Sequence, residues 1–344
     1  MRVVISPANE LPEKLATRWA EIQENNPGLA SPFFRPEFTQ AVARVREDVF
    51  VAAVDDGAAF FPYQRSSFGL GRPVGGTMSD YHGLIAPPAY KCDMVELLRA
   101  CRLQRWTFDH VPADQTVFAR WRTINTSSPI LVISGAAPAG SSSLHSNHRR
   151  KWRRLEEGHG EIQVDLDVRD PELLDLCIKW KSEQYHRSGN LDLFARPWAR
   201  DLVNIISTYH DPHFAGMLSV LRVDGRPIAV HFGIRSLRFW HYWFPAYDPA
   251  FQRYSPGILL LLKMIERAPA LGIEAIDFGK GDNHYKLRLF NHRVPLIEGC
   301  VAASHPLWMA TQTQTKLKQL VKSSPASEYI IPPMRRLMQW ARFR

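Results

Sequence analysis

The chain has 344 residues, with 43 Lys and Arg against 34 Asp and Glu, a formal net charge of +9. Because this length exceeds a usual single hydrophobic core, we expect two domains. The sequence contains no nucleophile elbow, Walker loop or dinucleotide fingerprint, and no run of about 18 apolar residues that would span a bilayer. No signal-peptide pattern is present, so we expect a cytoplasmic protein. Its cysteines have no metal-type spacing, which predicts no metal site.

A hairpin pattern occurs twice along the chain. Val49–Arg65 and Leu218–Arg235 each contain an apolar strand, an Asp-Gly pair and a second strand that ends in Arg. This repetition suggests a duplication. A stretch of small residues between the two, Gly135–Ser143, has linker composition. We therefore predict an N-terminal lobe over 1–134, a C-terminal lobe over 144–305 and a basic helical tail over 306–344.

Two basic segments account for much of the net charge. His148–Arg154 (HRRKWRR) lies in a predicted helix from about Ser146 to Glu157. It is interpreted as a solvated helix face or as a contact for an RNA backbone. Met334–Arg344 (MRRLMQWARFR) has the composition of an amphipathic helix. That tail either contacts a membrane surface peripherally or packs against the protein body.

The strand and helix signals are densest after residue 218. Asp224-Gly225 predicts a two-residue turn, and a third strand over 238–244 is expected to end at Pro245, which cannot donate to a ladder. Ser255 is predicted as a helix N-cap, with Pro256 at the first position of a helix that runs to about Ala268. A cation before a helix start, Arg253, outlines a phosphate site, although many capped helices bind nothing.

Three motifs carry a family resemblance. They read DGRPIA (Asp224–Ala229), RYSPG (Arg253–Gly257) and DFGKGDNHYK (Asp277–Lys286). Together with GRPVGGTMSDYHG at 71–83, they resemble the CelD-like or FemAB-like branch of the GNAT acyltransferase superfamily. The resemblance covers roughly 31–301. It implies an α/β fold of two tandem GNAT-like lobes, each a mixed, largely antiparallel sheet flanked by helices.

The resemblance implies one cofactor site, in the C-terminal lobe, for acetyl-CoA or another acyl-CoA. Its pyrophosphate would lie at the RYSPG loop, where the residues concerned are Arg253, Tyr254, Ser255 and Gly257. The loop departs from the wider family pattern because it has one basic residue and one glycine, with a proline between them. A sheet edge beside the loop is expected to pair with the extended pantetheine arm.

The proposed chemistry needs an acid and a base. By resemblance, Tyr285 occupies the position of the family's general acid, which protonates the leaving thiolate. A phenol with a pKa of about 10 suits proton transfer to a thiolate with a pKa of about 8.5. Alternatively, Tyr285 is an aromatic residue that closes the sheet. His231 is the first candidate base, and Asp282 is the other. His241 lies on the neighbouring strand. Asp277 either orients a base or caps the following turn.

Acceptor binding is assigned to polar residues in both lobes. In the N-terminal lobe, Asp80 and Tyr81 belong to the SDYHG motif, although a turn fixed by Asp80 is the alternative. In the C-terminal lobe the candidates are Asp277, Lys280 and Lys286.

The resulting prediction is an acyl-CoA-dependent N- or O-acyltransferase that acts on a sugar or sugar-containing precursor in cellulose, exopolysaccharide or envelope biosynthesis. By resemblance, the basic segment faces an anionic substrate such as a phosphorylated sugar. Two alternatives stay open: an aminoacyl-tRNA-dependent FemAB-type peptidyltransferase, and a noncatalytic accessory of a polysaccharide synthesis machine. Apart from a tRNA donor, no nucleic-acid partner is expected.

Overall fold

The structure of the chain is a computed structural model that describes residues 1–133, 141–281, 288–304 and 308–309, with backbone only for 141–145. It divides into two compact units. Unit 1 comprises Met1–Thr126 and the described residues from Pro295 onward, and unit 2 comprises Ser127–Val294. The predicted two-lobed α/β architecture is confirmed.

The regular elements are as follows. The strands are β1 (Val3–Pro7), β2 (Val49–Val54), β3 (Ala59–Arg65), β4 (Leu70–Arg72), β5 (Arg105–Pro112), β6 (Arg122–Val132), β7 (Ile162–Val168), β8 (His210–Asp211), β9 (Phe214–Val223), β10 (Arg226–Ser236), β11 (Phe239–Tyr247), β12 (Ala275–Asp277) and β13 (His292–Ala302). The helices are α1 (Glu13–Glu24), α2 (Pro36–Ala43), α3 (Met94–Ala100), α4 (Ser141–His159), α5 (Pro171–Arg187), α6 (Pro197–Ser207) and α7 (Pro256–Arg267).

Unit 1 contains a mixed sheet in the order β1-β2-β3-β4-β5-β13. The β2–β3 hairpin predicted over 49–65 is confirmed. Its core is aromatic: Trp106 is fully buried, contacts Phe61 edge-on and stacks on Phe108. Such rings bury a large apolar area, and paired rings add to it, so they anchor the sheet.

Unit 2 contains the order β6-β12-β11-β10-β9-β7, with β8 paired to β9. Neighbouring strands are antiparallel except β11 and β12, which run parallel. The core side chains of β9 to β12 pack with α7, whose Leu260, Leu261 and Met264 are buried. Strand β11, the turn after it and helix α7 therefore pack together and can support a site.

The boundary between the units falls within β6 and within β13, not in the predicted linker. This geometric division differs from the predicted domain limits, 1–134, 144–305 and 306–344, which stay a prediction. Part of the linker, at 134–140, and most of the C-terminal tail lie outside the described residues. Among the described residues, no helix is long and apolar enough to cross a membrane.

Local signals place the β9–β10 hairpin correctly. The turn at Asp224 and Gly225 has φ of 46° and 75°, the left-handed values that a two-residue hairpin turn requires. The predicted strand end at Pro245 is wrong, because β11 continues to Tyr247. At Pro245 the strand pairs with β10, whereas β12 pairs no further along β11 than His241. A missing N–H is therefore tolerated there, as on an edge strand.

We expect Gly233→Ala to destabilise unit 2. A Cβ at this position of β10 would lie 2.5 Å from the carbonyl oxygen of His241 and 2.7 Å from Trp240 Nε1. Both neighbours are buried, so overpacking is expected to cost about 1–3 kcal/mol. Guanidinium denaturation measures the change. Gly158→Ala in α4, where only Tyr254 Oη is near, at 3.7 Å, is the matched control; an equal effect of both substitutions would contradict the explanation.

Candidate functional site

Strands β11 and β12 separate after three residue pairs. Their parallel pairing ends at His241 and Asp277, and β11 continues for six more residues. Near the same place, the register of β11 against β10 shifts between Phe232 and Ile234, which is a β-bulge. Beyond His241, the edge of β11 that would face β12 has no partner strand among the described residues. Such an edge offers backbone N–H and C=O groups to an extended ligand.

The loop that follows this edge leads directly into α7. Ser255 occupies the predicted N-cap position, but the prediction that it caps the helix is wrong. Its φ and ψ are 55° and 54°, and its side chain makes no capping hydrogen bond. A left-handed backbone turns the hydroxyl away from the helix amides, and Ser255 Oγ instead accepts a hydrogen bond from Lys151 Nζ at 2.6 Å.

Two further basic side chains, those of Arg253 and His159, contact the hydroxyl of Tyr254 in this loop. Arg253 Nη2 donates to Tyr254 Oη at 2.8 Å, and the guanidinium lies 4.7 Å from the centre of the ring. His159 Nε2 lies 3.2 Å from the same hydroxyl. Lys151 and His159 both come from α4, so the basic helix and the RYSPG loop form one site. Lys151 belongs to the basic segment predicted to face an anionic substrate, but its contact with this loop and that of His159 were not predicted, because only the fold brings α4 to the loop.

The outer face of α4 carries an arginine block, which we define as Arg149, Arg150, Arg153 and Arg154. All four side chains are exposed. Within the described residues, none of the four arginines forms an ion pair with a carboxylate. Arg150 donates a hydrogen bond to Asn147 Oδ1. Like charges at i, i+4 spacing destabilise a helix, so this block favours an anionic partner. The helix predicted over 146–157 is confirmed.

His231 is fully buried on β10. Its ring stacks on that of Tyr242, with centroids 4.3 Å apart and planes at 8°. Among the described residues, neither ring nitrogen has a hydrogen-bond partner, and the facing hydroxyl of Ser219 has none either. Burial, followed by the neighbouring His241 and Lys181, lowers the pKa of His231 well below its ordinary value. His231 is therefore neutral at neutral pH, as a base must be, but its protonated form is disfavoured.

Asp277, at the end of β12, is also fully buried. Its Oδ1 accepts a hydrogen bond from Ser128 Oγ at 2.6 Å and from the backbone N–H of Gly279 at 2.6 Å. The second bond caps the following turn, as one of the two sequence interpretations expected. His241 Nδ1 lies 3.8 Å from the same oxygen. Ser128 was not predicted, since it comes from β6, 149 residues away in the chain.

The other predicted site residues lie after β12, in unit 1 or outside the described residues. Lys280 follows Asp277 closely and is half-buried. Asp282, Tyr285 and Lys286 lie outside the described residues. In unit 1, Tyr81 is buried against Phe34, and Asp80 Oδ1 lies 3.9 Å from His110 Nε2.

His82, Asp109 and His110 of unit 1 have side-chain atoms within 4.8 Å of one another. His82 Nε2, however, accepts hydrogen bonds from the backbone N–H groups of both Asp109 and His110, at 3.1 Å each. That nitrogen has one lone pair in the ring plane, so these bonds compete with a metal ion. A metal ion bound through Nε2 of His82 would therefore have to displace these two hydrogen bonds.

Comparisons with known proteins give a domain match for part of the chain and a shared fold. Residues 142–287 match the family model of the acetyltransferase (GNAT) domain. No curated protein matches the sequence. Among solved structures, the chain is similar to FemX, with a TM-score of 0.56, 10% identity, and coverage of 91% of this chain and 100% of FemX.

Two further structures share the fold. One is the C-terminal domain of a putative lysylphosphatidylglycerol synthetase from Agrobacterium fabrum, with a TM-score of 0.55 and 13% identity over 90% of this chain and 96% of that one. The other is L-PGS from Bacillus licheniformis, with a TM-score of 0.53 and 12% identity over 88% and 96%. At such identities these likenesses establish the fold alone.

We expect His231→Phe to weaken the acid sensitivity of folding. In the unfolded wild-type chain, His231 binds a proton near pH 6.5, whereas the buried imidazole of the folded chain stays neutral at that pH. The free energy of unfolding therefore falls as the pH drops below that value. Phe keeps the stack on Tyr242 and removes two unsatisfied nitrogens, each of which costs about 1–3 kcal/mol when buried. The unfolding free energy should therefore be no lower at pH 7 and should depend less on pH. Chemical denaturation between pH 5 and 8 measures both effects.

The control for that measurement is His210→Phe, because His210 is exposed on β8. It should leave the pH dependence unchanged. A His231→Phe protein with the wild-type slope would show that His231 is protonated in the folded state, against the burial argument.

Proposed function

We propose that this protein is an acyltransferase that uses acyl-CoA, with acetyl-CoA as the first candidate, as its donor. The match of residues 142–287 to the family model of the acetyltransferase (GNAT) domain supports this proposal. The acceptor we propose is an amine or hydroxyl of a sugar or sugar-containing precursor in cellulose, exopolysaccharide or envelope biosynthesis. The saccharide acceptor rests on the resemblance of the SDYHG segment, with Asp80 and Tyr81, to CelD-like proteins. The GNAT domain favours an enzyme over a noncatalytic accessory.

One observation supports the donor most strongly. The open edge of β11 runs into a loop where Lys151, Arg253 and the N-terminus of α7 come together. An extended pantetheine arm can pair with such an edge, and a pyrophosphate is favoured by the adjoining cations and by the positive end of the helix dipole. Lys151, from helix α4, thus adds a second cation to a loop whose own sequence has a single basic residue.

The proposed reaction has three parts. The acceptor attacks the thioester carbonyl, and backbone N–H groups where β11 and β12 separate would stabilise the oxyanion. A base takes the acceptor proton, for which His231 and Asp282 are the predicted candidates. Tyr285 would protonate the departing thiolate. Asp277, Lys280 and Lys286 would contact the acceptor from the same segment.

An aminoacyl-tRNA donor is the second candidate, and the arginine block supports it. Phosphate contacts by Arg supply sequence-independent affinity that falls steeply with salt. This alternative predicts that replacement of the four arginines with Gln weakens tRNA binding and flattens its salt dependence. Filter binding at 50 and 200 mM salt measures this. Equal binding by wild type and variant would exclude the block as an RNA contact.

For the acyl-CoA donor, we expect saturable micromolar binding of acetyl-CoA and free CoA in isothermal titration. Arg253→Ala and Lys151→Ala should each weaken it about 10-fold or more, because a hydrogen bond to a charged group contributes about 1.5–3 kcal/mol. Lys179→Ala is the matched control, since Lys179 is exposed on α5. No binding at millimolar CoA would refute this donor and favour the aminoacyl-tRNA alternative.

A further inference from the structure

The turn between β3 and β4, in unit 1, carries the most exposed large apolar side chain among the described residues. Phe68 is 77% exposed, and Leu70, two residues later, is 39% exposed. Single apolar residues on a surface are common, but a phenyl ring left mostly in water forgoes the stabilisation that burial provides. We refer to the side chains of Phe68 and Leu70 together as the apolar tip.

Hydrogen bonds hold this turn in a defined conformation. The Gly69 N–H donates to the carbonyl of Ser66 at 3.0 Å, which places Ser67 and Phe68 at the two central positions of a β-turn. The Ser66 N–H donates to the carbonyl of Leu70 at 3.0 Å, and the Leu70 N–H donates to Ser66 Oγ at 3.1 Å. Because the turn is already ordered, little backbone entropy would be lost when a partner covers the ring of Phe68.

The sequence around the turn is basic. Residues 59–79, which contain the turn, and residues 97–108, which contain the loop beside it, include five Arg and no Asp or Glu. The Gln104 N–H donates to the carbonyl of Gly69 at 2.8 Å, so the loop and the turn are joined through their backbones. An apolar tip in such surroundings favours an anionic partner over a neutral or basic one.

Two of these arginines offer their charge to a partner. Arg105 pairs with Leu70 in the parallel β4–β5 ladder, and the carbonyl of Arg102 is close to Gly69. Arg102 is exposed and Arg105 is half-buried. Within the part of the chain that the structure describes, neither forms an ion pair with a carboxylate. Both charges therefore lie beside the apolar tip without a compensating anion from these residues.

The chain beyond β13 begins beside the same loop. The Ala303 N–H donates to the carbonyl of Gln104 at 2.8 Å, and Arg99 Nη2 donates to the carbonyl of Ala303 at 3.3 Å. The sequence that follows includes Met334–Arg344, which has the composition of a basic amphipathic helix. A segment with apolar and basic side chains is thus tethered to unit 1 next to the apolar tip.

We propose that the apolar tip inserts into the surface of an anionic lipid membrane and that Arg102 and Arg105 contact the lipid phosphates. A protruding aromatic ring can leave water at the boundary between headgroups and acyl chains, where no matching groove is needed. Arginine at that boundary is attracted by the negative charge of the leaflet. A protein partner would instead need an interface far larger than two side chains.

Attachment to a membrane takes more than one contribution, because a single inserted apolar group gives only marginal, reversible binding. The apolar tip supplies one contribution and the two arginines supply another. Salt screens the second contribution and leaves the first. The two can therefore be separated by substitution and by ionic strength.

The first test is cosedimentation of the full-length protein with vesicles made of equal parts of phosphatidylcholine and phosphatidylglycerol. The wild type should bind these vesicles and should bind vesicles of phosphatidylcholine alone less well. Phe68→Ser should lower the partition coefficient about 5-fold or more, because the ring no longer leaves water. Phe68→Trp should retain binding, and Val4→Ser, at a 49% exposed apolar residue of β1, is the matched control.

The second test replaces both arginines. Arg102→Gln with Arg105→Gln should lower the partition coefficient about 10-fold at low salt, and the difference from the wild type should shrink at high salt. Arg2→Gln with Arg18→Gln, at two exposed arginines of unit 1, is the matched control and should change binding less. The effect of Phe68→Ser should persist at high salt.

Three results would overturn the proposal. One is a wild type that does not bind the anionic vesicles. Another is unchanged binding by Phe68→Ser, with or without an effect of the arginine substitutions, since the surface would then attract anions without insertion of the ring. The third is an equal loss of binding in Phe68→Ser and Phe68→Trp, which would show that the substitutions act on the fold of the turn. None of these measurements depends on the acyl donor.

Discussion

The short pairing of β11 with β12 is the constraint on which the site depends. Three parallel residue pairs join these strands, and they stop at His241 and Asp277. A parallel neighbour needs a crossover, which α7 supplies. The crossover places the N-terminus of α7 just past the open edge of β11. Edge, loop and helix dipole therefore follow from one topological feature, and a ligand with an extended arm and a terminal phosphate fits all three.

Helix α4 supplies the charge that the loop itself lacks. Its inner face is anchored by Leu155, which is fully buried, and this orients Lys151 toward Ser255. Its outer face carries the arginine block. Lys151 can contribute to specific binding because it is half-buried. The exposed arginines attract anions through electrostatic interactions that salt screens. The two faces thus suit different anions, or different parts of one large donor.

Local sequence signals determine what could be predicted. The turn at Asp224-Gly225 and the start of α7 at Pro256 depend on residues adjacent in the chain, and both are confirmed. Ser255 was wrongly predicted to cap α7 because its composition signal does not reveal a left-handed backbone. The contacts that Lys151 and Ser128 make with the site were not predicted, because their partners lie 104 and 149 residues away in the chain. Such contacts arise from tertiary packing, which no local motif encodes.

Buried polar side chains lie in the strands of unit 2 near the point where β11 and β12 separate. Within the part of the chain that the structure describes, His231, Ser219 and Trp240 each have a buried polar atom without a hydrogen-bond partner. Asp277 buries a carboxylate among strands that are otherwise apolar. Each unsatisfied group costs about 1–3 kcal/mol, and apolar residues of similar volume would avoid that cost. His231 packs against Trp240 and Tyr242 of β11, and Asp277 ends β12 where it pairs with His241. Polar groups are retained at such a cost where a functional site requires them, so these residues mark this part of the sheet as a candidate site.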